Sequence, residues 1–61
     1  MKAADLSPQR DANRLITWVH NDTTFRSRPF AIEHSHGFTY LHIEGYRAHE
    51  LRAEWEVVVT P

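Results

Sequence analysis

Residues 30–46 read FAIEHSHGFTYLHIEGY, and the alternation in this stretch decides how the rest of the chain is read. Strand side chains point to opposite faces with a period of two, so a half-buried strand alternates apolar with polar residues. Phe30, Ile32 and His34 fall on one side, and Ala31, Glu33 and Ser35 on the other. At His36-Gly37 the glycine supplies the positive φ of a tight two-residue hairpin turn. That turn sets Ser35 opposite Phe38, His34 opposite Thr39, Ile32 opposite Leu41 and Phe30 opposite Ile43, so the apolar faces coincide.

The next connection is tested in the same way. A three-residue loop of Arg47, Ala48 and His49 pairs Ile43 with Ala53, Leu41 with Trp55 and Thr39 with Val57 on the apolar face. On the other face it pairs Glu44 with Arg52, His42 with Glu54 and Tyr40 with Glu56. A slip of one residue turns Glu54 and Glu56 toward the core. The expectation is three antiparallel strands over about 30–35, 38–46 and 50–59.

Toward the N-terminus, Ser7-Pro8 has the chemistry of a helix start: a serine cap, then a proline where a missing N–H costs nothing. Ala12, Leu15, Ile16 and Val19 follow at the spacing of one helical face, and Asn21-Asp22 supplies a stop. This predicts a helix over about 8–20. The rival reading is a strand over 15–19, because Ile16, Thr17, Trp18 and Val19 are β-branched or aromatic. The helix is preferred because a bare three-stranded sheet needs a cover. The expected fold class is therefore α+β, one N-terminal helix packed on a three-stranded antiparallel β-meander. Residues 1–6 read as a frayed lead-in, and Phe25 as a lid on the core edge.

With 61 residues there is room for one small domain and one core. The absence of cysteine excludes disulfides and thiolate metal sites. No stretch has the length of a membrane span, and the charged N-terminus lacks the apolar run of a signal peptide, so a cytoplasmic location is expected. The net charge of −1 argues against a strongly basic nucleic-acid binder, but the charge is unevenly placed. Residues 1–29 carry five basic and three acidic side chains, and residues 30–61 carry two basic and five acidic.

Five histidines raise the question of a metal. In the expected register His34 faces inward, His42 outward, and His49 lies in a loop. They do not converge, and neither an HExxH nor a Cys/His pattern is present. For catalysis the inventory is His42, Glu54, Glu56 and Tyr40 on an open face, which gives little burial to tune a pKa. There is no GxSxG motif and no phosphate-cradling glycine loop. The expectation is a protein that is not an enzyme, with no cofactor and no metal.

The outer sheet face is the most informative surface. Phe38, Tyr40, His42 and Tyr46 stand in a row on the central strand, flanked by Glu33, Glu54 and Glu56. Aromatic anchors in an acidic setting suit a protein partner, especially a basic one. The expected function is a small protein-interaction module, a regulator, adaptor or inhibitor, acting through this face or an edge strand. A chain of this kind suits a phage or mobile-element inhibitor of a host machine, and its free edges also allow a homodimer. The alternative is a small nucleic-acid-binding regulator that uses Arg10, Arg14, Trp18, Arg26 and Arg28, with arginines on phosphates and the tryptophan on a base.

Overall fold

The run Leu15–His20 is a strand, not a helix. In the computed structural model, which describes all 61 residues, it forms β1. The expected helix over 8–20 is absent, and with it the α+β class: the only helical element is the 3-10 turn Ala3–Asp5. Ser7 and Pro8 do begin a turn, in which the Asp11 N–H donates to the Ser7 carbonyl at 2.8 Å. It stops after one turn because Asn13 takes a φ of 66°, in the left-handed region where a right-handed helix cannot continue. Beyond it, Ile16 and Trp18 are buried while Val19 is exposed, the period of two that β-branched and aromatic side chains favour.

Asn21 and Asp22, expected to stop a helix, instead make a hairpin turn with φ of 50° and 62°. It joins β1 to β2, Thr23–Ser27, with Trp18 opposite Phe25 and Ile16 opposite Ser27. Residues 28–30 then carry the chain across a corner, with the Asn13 N–H donating to the Pro29 carbonyl at 2.7 Å. Beyond the corner, β3 (Ala31–Ser35) and β4 (Phe38–His42) pair in the expected register, Ser35 opposite Phe38 and Ile32 opposite Leu41. His36 and Gly37, both at positive φ, make the turn.

The next connection departs from expectation. β4 ends at His42 rather than Tyr46, and residues 43–48 form a loop before β5, His49–Arg52. A β-turn closes it, the Tyr46 N–H donating to the Ile43 carbonyl at 3.2 Å with Gly45 at φ 79°. Leu51 pairs with Thr39 rather than with Gly45, a slip of six residues. Because six is even, Leu51 still faces inward and Glu50 and Arg52 still face outward. The expected pairs Glu44–Arg52, His42–Glu54 and Tyr40–Glu56 do not form; Phe38 lies opposite Arg52 and Tyr40 opposite Glu50.

The expected third strand over 50–59 is two strands in two sheets. After a turn at residues 53–55, β6 (Val57–Thr60) leaves its neighbour and pairs with β1, Trp18 opposite Val57 and Ile16 opposite Val59. The molecule is thus two three-stranded antiparallel sheets, β2-β1-β6 and β3-β4-β5. The second sheet replaces the helix as the cover that the first apolar face requires.

One core lies between them, built from Ile16, Trp18, Ile32, Leu41, Leu51 and Val57. Ala3 and Leu6 close it, both almost completely buried, so the N-terminal segment is part of the core rather than a frayed lead-in. It is held by backbone bonds from Ala3 to Trp55 and from Ala4 to Ala53. His34 adds a side-chain clamp: its Nε2–H donates to the Leu6 carbonyl at 2.7 Å, and its Nδ1 pairs with the buried Thr39 hydroxyl at 2.9 Å. Phe25 is half-buried against the core edge and stacks on Trp18. Phe30, expected on the apolar face, is exposed at the corner.

Candidate functional site

Two surfaces carry the polar chemistry. The first is the outer face of β3-β4-β5. The pleat of β4 brings Phe38, Tyr40 and His42 out on the same side, all half-buried, with the rings of Phe38 and Tyr40 6.3 Å apart. The cross-strand neighbours of Tyr40 are Glu33 on β3 and Glu50 on β5. Burial, helped by the Glu50 and Glu33 carboxylates, holds the Tyr40 hydroxyl above the ordinary phenol value. His42 Nε2 lies 3.0 Å from Glu33 Oε1, and the Arg52 guanidinium sits 5.5 Å from the centre of the Phe38 ring. Phe30 extends the row beyond His42, their rings 6.3 Å apart.

Only part of the expected row is here. Tyr46 leaves it, since it belongs to the loop over 43–48, where it is 81% exposed. Glu54 is exposed in the turn that follows β5. Glu56 is exposed and faces the Met1 amino group at 3.4 Å. The acidic flank on the β5 side is therefore Glu50. Its place was hidden from the sequence because alternation cannot separate registers that differ by two residues.

The second surface is a groove of about 640 Å³ between the end of β2 and the loop over 43–48. Arg26, Ser27 and Arg28 form one wall; Ile43, Tyr46, Arg47, Ala48 and His49 form the rest. No carboxylate lines it, and none of its three guanidiniums has a carboxylate within 4.0 Å. Arg28 makes one long bond, 3.4 Å, to the Asn13 carbonyl. Ser27 is 7% exposed, and its Oγ is the one buried side-chain polar atom with no hydrogen-bond partner.

The expected arginine set is divided. Arg10 is engaged with the Asp11 carboxylate, at 2.9 and 3.0 Å. Arg14 is exposed ahead of β1. Trp18 is a core residue, 5% exposed, and is out of reach of a ligand base. Arg26 and Arg28 remain, joined by Arg47, His49 and Tyr46, which sequence reasoning did not connect to them. The available signal was the proximity of Tyr46, Arg47 and His49 in sequence, just after Gly45.

The histidines are dispersed. His20 stacks on Trp55 with ring centres 4.4 Å apart, His49 lies edge-on to Trp18, and His36 pairs with Ser35 in the hairpin turn. Nowhere do three His or carboxylate side chains converge as a metal would require. No helix is long and apolar enough to cross a membrane. No family model, no curated protein and no solved structure matches this chain.

Proposed function

We propose that this protein is a small non-enzymatic interaction module, a regulator, adaptor or inhibitor, that binds a basic protein partner through the outer face of β3-β4-β5. The observation that carries the reading is the position of Tyr40, in an aromatic row with Phe38 and His42 and with a carboxylate on either side of it. Lysine or arginine side chains of a partner meet both kinds of group there: ring faces for cation–π contact and Glu33 and Glu50 for ion pairing. Phe38, Tyr40 and His42 are half-buried before any partner arrives, so their rotamers are already restricted and less ordering entropy is lost on binding. Arg52 over Phe38 is an internal example of the contact a partner's cation would make.

The test is a tagged pull-down from native cell extract, with and without nuclease and at two salt concentrations, comparing the natural chain with a Tyr40→Ala, Glu50→Gln variant. A nuclease-resistant protein partner that the variant loses, while its circular dichroism is unchanged, supports the reading. Equal recovery by the folded variant removes the face from consideration.

A further inference from the structure

The arginine groove uses none of the residues of the acidic row, and it poses a separate question. Three arginines from two separated segments converge on one concavity in a chain whose net charge is −1. Bringing like charges together without a carboxylate is unfavourable, and the fold does not need it: the side chains are exposed and carry no core packing. All three cations are arginine, whose planar fork matches phosphate oxygens in a way that lysine does not. Tyr46 stands beside them, 81% exposed, the most exposed large apolar side chain of the protein. Ser27 sits in the same wall with an unpaired hydroxyl, and leaving such a group buried without a partner is itself destabilising.

We infer that this groove is a binding site for a single-stranded nucleic acid, with Arg26, Arg28 and Arg47 on the phosphates and Tyr46 stacked on an unpaired base. The combination separates this ligand from its neighbours in chemistry. The carboxylates of an acidic peptide pair with the cations but bring no planar face to the ring with each charge. A duplex offers phosphates but keeps its bases stacked inside. A single strand satisfies both, since successive phosphates reach cations from two segments and every base has a face for an aromatic side chain. The overall charge of −1 does not oppose this, because Glu33 and Glu50 belong to another surface and none of the acids lines the groove.

The test is fluorescence anisotropy with a labelled mixed-sequence single-stranded 12-mer, in DNA and RNA forms, over a series of salt concentrations. A hairpin duplex, a nucleoside monophosphate and inorganic phosphate serve as competitors. The expected result is salt-dependent binding whose log–log slope falls by about 1.4 in the Arg26→Gln, Arg28→Gln double variant, about 0.7 for each phosphate no longer neutralised. Tyr46→Ala should weaken binding by about tenfold or more, and Tyr46→Phe should restore it. Arg14→Gln, outside the groove, should change the affinity by less than about twofold if the slope reflects the groove alone. Failure of the natural chain to bind the strand at low salt overturns the inference. So does equal binding of the duplex, or phosphate competition with no loss in Tyr46→Ala, which would leave an anion site without base recognition. Circular dichroism of each variant separates loss of binding from loss of fold.

Discussion

Arg10 grips the Asp11 carboxylate with two prongs, Nε to Oδ1 at 3.0 Å and a terminal guanidinium nitrogen to Oδ2 at 2.9 Å. The Ser7 N–H adds a third donor at 2.7 Å, and Asp11 is 2% exposed. The Arg10 hydrogen bond is the largest influence holding the Asp11 carboxyl below its ordinary value of 3.8; burial opposes it, and the Ser7 bond assists. A folded pKa lowered in this way stabilises the protein above the unfolded carboxylate value, and the contribution is lost as pH falls through the folded one. Urea melts should therefore show no dependence on this group between about pH 5 and 7, and a decline below about pH 4. Asp11→Ala should cost about 1–3 kcal/mol at pH 7, since it orphans the Ser7 N–H, and should flatten the acid decline. An unchanged acid profile in that variant would show that other carboxyls set it.

The two hairpin turns test the backbone directly. Asp22 sits at φ 62° and Gly37 at φ 80°, in the region that glycine adopts without steric cost. Asp22→Gly should raise stability by about 0.5–1 kcal/mol, or roughly 2–8 °C in Tm for a domain of this size. Gly37→Ala should lower it by about 1–2 kcal/mol. The second cost is purely conformational, because no atom lies within 4 Å of a Cβ built at Gly37. Thermal melts of the two variants, with shifts of opposite sign, check both expectations.

Trp18 is the largest buried side chain, with Phe25 stacked on it at 5.6 Å and His49 edge-on at 5.1 Å. Trp18→Ala should cost about 3–5 kcal/mol. A chain of this length has a total stability of roughly 3–9 kcal/mol, so the variant should be partly or wholly unfolded at 37 °C. Tyr46→Ala should remain within about 0.5 kcal/mol of the natural chain. Far-UV circular dichroism distinguishes the two aromatics in one experiment.

Ser27→Ala removes a buried hydroxyl that has no partner. The expected outcome is a gain of up to about 1 kcal/mol in urea denaturation, against the usual loss for a buried substitution. A clear loss of stability would mean that the hydroxyl is satisfied in solution.

The register of the β3–β4 hairpin was legible from Ala31 to His42, though its outer end was not, since Phe30 lies off the apolar face and β4 stops before Ile43. Its turn lies at His36-Gly37, and its two flanking strands alternate in phase, so one register satisfies both. The strand over 15–20 was legible only as an alternative. Leu15, Ile16 and Val19 satisfy a helical stripe and Ile16 and Trp18 a strand face, and six residues are too few for periodicity to decide. Of the acidic face, Phe38, Tyr40 and His42 could be read from the pleat of one strand, whereas Glu50 could not. Of the groove only Arg26 and Arg28 were legible as candidates; their meeting with Arg47 was not, because it spans a corner and a loop.

Local chemistry in the sequence alone determined that an element ends at residues 21–22, that the chain turns at residues 36–37, and which side of each later strand faces inward. Those features depend on backbone preferences and a period of two, both properties of neighbouring residues. Tertiary structure alone decided that residues 15–20 extend, that residues 57–60 cross to pair with them, and that Ala3 and Leu6 close the core. Each of these choices rests on backbone hydrogen bonds and apolar packing between segments far apart in the chain, Ala3 with Trp55 and Leu15 with Thr60. The free energy of such pairing decides between conformations that local propensity leaves open, and the identity of the distant partner is not written in adjacent residues.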